Sequence, residues 1–225
     1  LVSHDDGRHW EKRNSGLPKK IVYPFRDEEI ETLTSIGFDP KNETRLICTT
    51  ASRLFVSENT GRSWHEIPVG SPVSRSNILT GAAPSPWDND TYMISTSFSG
   101  IFETSDSGIT WREISEETIK YRGAGFNEEI AAVLYSPVQR GVLYVGYSFG
   151  NGLYVSNPER NSWTEIKGIS QEYSIKTMQF TDKKLNVSFY GGIADYNPEN
   201  MRWSTFRDNP VITKTEVSPE SARAH

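Results

Sequence analysis

Short apolar runs separated by turn formers make up most of this chain. Leu33 to Phe38, Arg45 to Thr50 and Arg53 to Ser57 are broken by Asp39-Pro40 and by Ala51-Ser52. The same grammar returns later, where Ile130 to Tyr135 ends at Ser136-Pro137, Val142 to Tyr147 follows, and Gly150-Asn151-Gly152 turns the chain into Leu153 to Ser156. A further run follows each of three tryptophans: Trp64 to Ile67, Trp111 to Ile114 and Trp163 to Ile166. The runs lack the 3.6-residue spacing of a helix face, and Val, Ile, Tyr and Phe supply β-propensity. The pattern predicts an all-β chain built from units of four antiparallel strands, A to D, with little room for helices.

Self-similarity sets the length of the unit. Ser3, Asp5, Gly7 and Trp10 stand in the frame S-x-D-x-G-x-x-W, which returns as Ser57, Asn59, Gly61 and Trp64 and as Thr104, Asp106, Gly108 and Trp111. Two weaker copies end at Trp163 and Trp203, with the turn-forming strings Pro158-Glu159-Arg160 and Pro198-Glu199-Asn200 in place of Asp-x-Gly. The five tryptophans lie 54, 47, 52 and 40 residues apart, the length of a propeller blade at about 40–50 residues. The expectation is a β-propeller segment of four-stranded blades at 30–70, 75–116, 128–168 and 173–207, with partial blades at 1–18 and 211–225. Leu1-Val2-Ser3 enters at a strand C, and Ile212 to Val217 before Ser218-Pro219 matches a strand A. We therefore expect a piece of a longer propeller with further blades of the same chain outside it. In a complete chain, the two terminal pieces would instead join as a three-stranded blade.

These residues resemble the Asp-box, or BNR, repeat of sialidases, the sortilin ectodomain, two-propeller xyloglucanases and the photosystem II assembly factor family. Asn14-Ser15-Gly16-Leu17-Pro18 is similar to the usual strand D ending of that family. The resemblance implies that each box is the turn between strands C and D. Its acid accepts backbone N–H groups, its glycine takes a positive φ and its indole packs between blades. Asp5, Asn59 and Asp106 are then turn locks, with no catalytic residue assigned. The implied function is a non-catalytic binding or scaffold module presenting loops to a protein or glycan partner. The alternative is part of a carbohydrate-active glycoside hydrolase, xyloglucanase-like or sialidase-like, although the arginine-bearing strand motif of sialidases is not seen in these residues. Family habit places such a module in an extracellular, periplasmic or lumenal compartment.

In a propeller the B–C and D–A connections gather at one end, where ligands usually bind, and loops of this kind carry function. Aligning the repeats puts Phe98, Phe149 and Tyr190 in equivalent B–C hairpins beside glycines. They form either an apolar ledge for a sugar ring or peptide side chain, or packing between blades. The connection at 19–32 adds Tyr23 and Phe25 beside Asp27, Glu28 and Glu29, and the connection at 115–129 ends in Glu128 and Glu129. A glycosidase needs two carboxylates about 5–5.5 or 6.5–9.5 Å apart, which these acids would have to supply. Trp87 falls in the A–B turn at the opposite end, where we expect it half-buried. Sequons stand at Asn42, Asn89 and Asn186.

Charge and cysteine count narrow the partners. The net charge is -5, from 24 Lys plus Arg against 29 Asp plus Glu, with no basic run, so no nucleic-acid partner is expected. No apolar stretch approaches the roughly 20 residues that cross a bilayer, so no membrane insertion is expected, and residues 1–25 carry no signal-like apolar core. A lone cysteine, Cys48, excludes an intramolecular disulfide and a cysteine-based zinc site within this sequence. Four scattered histidines and the absence of P-loop, dinucleotide or nucleophile-elbow motifs lead us to expect no metal and no cofactor. Cys48 itself lies in an apolar run and reads as an inert buried thiol.

Overall fold

The computed structural model describes residues 1–22, 27–115, 130–148, 152–168, 174–189 and 192–207. After a hairpin of β1 (Lys19–Val22) and β2 (Asp27–Ile30), the chain forms four four-stranded antiparallel sheets. The first holds β3 (Ser35–Asp39), β4 (Asn42–Thr49), β5 (Leu54–Ser57) and β6 (His65–Ile67), and the second β7 (Leu79–Pro84), β8 (Tyr92–Thr96), β9 (Gly100–Thr104) and β10 (Arg112–Glu113). The third holds β11 (Ile130–Tyr135), β12 (Leu143–Tyr147), β13 (Leu153–Ser156) and β14 (Trp163–Glu165), and the fourth β15 (Ile175–Thr181), β16 (Lys184–Phe189), β17 (Gly192–Asn197) and β18 (Arg202–Arg207). Every strand in these sheets pairs with its neighbour in sequence, the A-to-D meander expected of a blade.

The sheets are arranged as propeller blades, with the innermost strands β3, β7, β11 and β15 packed against one another in chain order. Sandwiching explains the sequence pattern. β5 (LFVS), β8 (YMIST) and β12 (LYVGY) are buried at every position because neighbouring blades cover both faces, so they read as continuous apolar runs rather than alternating ones. The outer strands β6 and β10 carry exposed His65, Glu66, Arg112 and Glu113. Blades approach closely at Gly37, where an added Cβ would lie 2.6 Å from the Ala82 carbonyl oxygen. The A strands of the second, third and fourth blades share a bulge near their start, at Leu79/Gly81, Ile130/Ala132 and Ile175/Thr177. Such bulges increase twist where the strands crowd together.

Two expectations are revised. Much of the connection at 19–32, read from sequence as a loop, is the β1–β2 hairpin, whose register sets Lys20 opposite Glu29. The N-terminal C and D strands reduce to a single bridge, Val2 with Glu11, closed by reciprocal N–H···O bonds of 2.9 and 2.8 Å.

Candidate functional site

The repeated turns are built alike. Thr104 Oγ1 donates to Asp106 Oδ1 at 2.7 Å and accepts from the Gly108 N–H at 2.9 Å, while Asp106 Oδ1 accepts from the Thr110 N–H at 2.9 Å. Asn59 substitutes for the acid: Ser57 Oγ donates to Asn59 Oδ1 at 3.0 Å, and the Ser63 N–H reaches the same oxygen at 2.9 Å. Hydrogen bonds from Thr110 hold the Asp106 carboxyl below its ordinary pKa, and those from His9 do the same for Asp5. These carboxylates are spent on turns. The indoles tie blades together, Trp64 Nε1 donating to Arg13 O at 3.0 Å, Trp111 to Pro68 O at 2.9 Å and Trp203 to Lys167 O at 2.8 Å.

In the fourth copy Asn157, not the proline or glutamate, locks the turn, its Oδ1 accepting from the Asn161 and Ser162 N–H groups at 3.0 and 3.2 Å. Arg160 stands at the glycine position with φ of 60°. Its guanidinium binds Gly141 O and Glu103 Oε1 at 3.0 and 2.6 Å. An asparagine before a proline was the available sequence signal.

The end of the molecule that carries the A–B and C–D turns is closed by ties between blades. Arg45, 1% exposed, donates to Ser85 O at 2.8 Å and to Asn89 O, and pairs with Asp39 at 3.4 Å and Glu58 at 3.5 Å. Trp87 is half-buried as expected, donating to Ser136 O at 2.9 Å with the Lys41 ammonium 3.0 Å from its ring centre. Arg140 pairs with Asp88 at 2.8 Å. Glu103 accepts from Tyr135 Oη at 2.9 Å, and burial together with that carboxylate keeps the phenol protonated well above its usual range.

The described B–C and D–A connections of the first two blades border open clefts instead. The connection between the first two blades, residues 68–78, forms a ridge. On one side lies a cleft of about 450 Å³ lined by Ser71, Pro72, Ser76, Asn77, Phe98 and Ser99, among others. On the other side a cleft of about 490 Å³ includes Ser52, Glu66, Val73, Arg75 and Ile78. Phe98, in the β8–β9 turn, is 67% exposed. Asn77, which the sequence pattern did not single out, holds both walls. Its amide donates to Pro72 O at 2.7 Å and Ser99 Oγ at 2.9 Å, and its carbonyl accepts the Phe98 N–H at 2.9 Å.

Of the other candidates, Tyr23, Phe25, Phe149, Tyr190, Glu128 and Glu129 fall outside the described residues, and Asp27, Glu28 and Glu29 stand on β2. Glu66 in the second cleft is bound by Arg53, which lowers its pKa and ill suits it to donate a proton. Among the described residues no cluster of three or more His, Cys, Asp or Glu is arranged for a metal. Cys48 is buried, and desolvation pushes its thiol up to about 12.

No family model matches this sequence, and no curated protein matches it. Solved structures do resemble it. A GH74 xyloglucanase from Xanthomonas campestris superposes with TM-score 0.56 at 18% identity, over 83% of this chain and 32% of that one. A GH74 enzyme from Niastella koreensis gives 0.58 at 16% identity, over 76% and 29%. An auxiliary nutrient binding protein from Bacteroides thetaiotaomicron gives 0.56 at 14% identity, over 87% and 47%. The chain thus spans less than half the length of each of these structures. What they share with it is the fold, a β-propeller that serves enzymes and binding proteins alike.

Proposed function

We propose that this chain is a non-catalytic propeller module of the Asp-box kind, presenting its B–C and D–A end to a protein or glycan partner. The module works in an extracellular, periplasmic or lumenal compartment. The observation that carries the reading is the contrast between the two ends. Among the described residues, one end carries ties between blades, while the other borders open clefts and an exposed aromatic ring. A rigid scaffold with adaptable loops at one end is a common arrangement for binding.

The test caps each end in turn. Arg75→Cys on the ridge and Glu43→Cys at the opposite end are alkylated with a bulky maleimide; Cys48 is too buried and too protonated to compete. Binding to a glycan array and a displayed-peptide panel is then measured. Loss of binding on capping position 75 but not position 43 supports the assignment. Loss only on capping position 43, or no retained probe, overturns it. Release of reducing ends from xyloglucan by the uncapped chain would replace it with the hydrolase reading.

A further inference from the structure

Resting on that reading, we infer that the cleft at Phe98 is a subsite for a neutral sugar ring. Three observations converge. The first is the chemistry of the described lining: Ser71, Pro72, Ser76, Asn77, Phe98 and Ser99 are among the cleft's described residues, none of which carries an ionisable side chain. A phosphate, carboxylate or ammonium group would find no counter-charge among these described lining residues.

The second is that most of the N–H groups of residues 73–78 and 97–99 around the cleft are already committed. Val73 N–H donates to Gly70 O, Ser74 and Asn77 exchange N–H···O bonds, and Ser97 N–H donates to Ile78 O. Ile78 N–H is taken by Ser97 Oγ, Phe98 N–H by Asn77 Oδ1 and Ser99 N–H by Thr96 Oγ1. An extended peptide gains affinity by pairing its main chain with free backbone groups, and these donors are not free to supply it. Side-chain hydroxyls face solvent on the ridge at Ser71, Ser74 and Ser76, the last two within 3.3 Å of each other.

The third is a pre-organised platform. Asn77 is buried and spends its amide on both walls, so the turn that carries Phe98 is fixed while its ring stays open to solvent. An exposed aromatic ring on a fixed turn, edged by serine hydroxyls, matches a pyranose, which offers one flat C–H face and a rim of hydroxyls that donate and accept. Pre-organisation lowers the cost of binding, and the cleft volume of about 450 Å³ falls within the usual range for small-molecule sites, about 300–1,000 Å³.

The experiment titrates the purified chain with cellotetraose, maltotetraose and chitotriose, and with sialyllactose as an anionic control, following backbone amide shifts. Saturable shifts at Phe98, Ser99 and Ser76 with a neutral sugar are expected, weakened roughly tenfold by Phe98→Ala, the magnitude of one aromatic contact. Ser76→Ala should weaken binding less, and Glu43→Ala should leave it unchanged. Phe98 is exposed, so its truncation leaves the fold intact, which the unchanged remainder of the spectrum would show. Shifts confined to sialyllactose, or neutral-sugar binding unaffected by Phe98→Ala, overturn the inference. Failure of every sugar while displayed peptides still bind this end overturns the sugar subsite and leaves the binding-module reading standing. Hydrolysis of a sugar that shifts Phe98 would do the opposite.

Discussion

The turns ending in Trp10 and Trp64 share one sequence frame and nearly one local geometry, yet their tryptophans differ. Ser3 Oγ donates to Asp5 Oδ1 at 2.9 Å, and Ser57 Oγ to Asn59 Oδ1 at 3.0 Å. The glycine N–H reaches the serine at 2.8 Å in both. Trp64 is 8% exposed and donates across to Arg13 O of the N-terminal segment, whereas Trp10 is 59% exposed and returns its indole N–H to Gly7 O in its own turn at 2.9 Å. The turn is therefore a local device that forms from its own residues, and the blade-to-blade tie is a separate event that needs a neighbour. Local hydrogen bonding shapes the turn; burial of the indole stabilises the stack.

Substitution of the two tryptophans breaks the comparison most directly. Trp64→Ala is expected to cost about 3–5 kcal/mol, as for other large buried aromatics. Trp10→Ala should cost no more than about 1 kcal/mol, as at an exposed site. Urea unfolding of the two variants reads the difference, and equal losses would mean that the turn, not the interface, holds the energy. The glycines give the next effect. A Cβ at Gly108, φ +89°, would lie 2.4 Å from Pro68 O, whereas one at Gly7, φ +85°, meets nothing nearer than Trp10 Cζ2 at 3.6 Å. Gly108→Ala is expected to lose roughly 2–4 kcal/mol from strain and overpacking together, and Gly7→Ala roughly 1 kcal/mol from the left-handed backbone alone, both measurable by thermal unfolding.

Smaller effects separate the hydrogen bond from the charge. Asn59→Ala removes the acceptor for the Ser63 N–H and should cost about 1 kcal/mol in urea unfolding. Asn59→Asp should restore the turn. The smallest effect is electrostatic. Because the folded Asp106 carboxyl lies below its ordinary value of 3.8, the unfolded chain takes up the proton first as acid is added. Its contribution is present above that value and is lost as pH falls through the folded pKa. Asp106→Asn should flatten this segment of the acid-stability curve relative to the wild type. An unchanged curve would show that the Thr110 bonds do not favour the ionised form.

Where a signal resides in neighbours along the chain, reading it was straightforward. The runs Ile130 to Tyr135 and Leu153 to Ser156 coincide with β11 and β13 because continuous apolar residues bounded by turn formers leave a buried strand as the economical structure. The hairpin at 19–30 was missed because Lys-Lys-Ile-Val and Asp-Glu-Glu-Ile lack that apolar continuity, and only their mutual register makes them strands. Of the candidate ledge, Phe98 was legible as an aromatic in a hairpin turn. Its cleft was not, because the other wall comes from residues 71–77 of the connection before the same blade.

The order of apolar runs and the recurring Ser-x-Asp-x-Gly-x-x-Trp frame were enough to establish blades, their spacing and the chemistry of their turns, since these depend on contacts within a few residues. Tertiary structure alone decided which tryptophan is buried, which end of the molecule is tied by Arg45 and Trp87, and that Asn77 presents Phe98 beside a cleft whose described lining is polar and apolar without ionisable groups. Each of those outcomes joins groups from different strands or blades, and no sequence spacing specifies which solvent-facing groups such packing will consume.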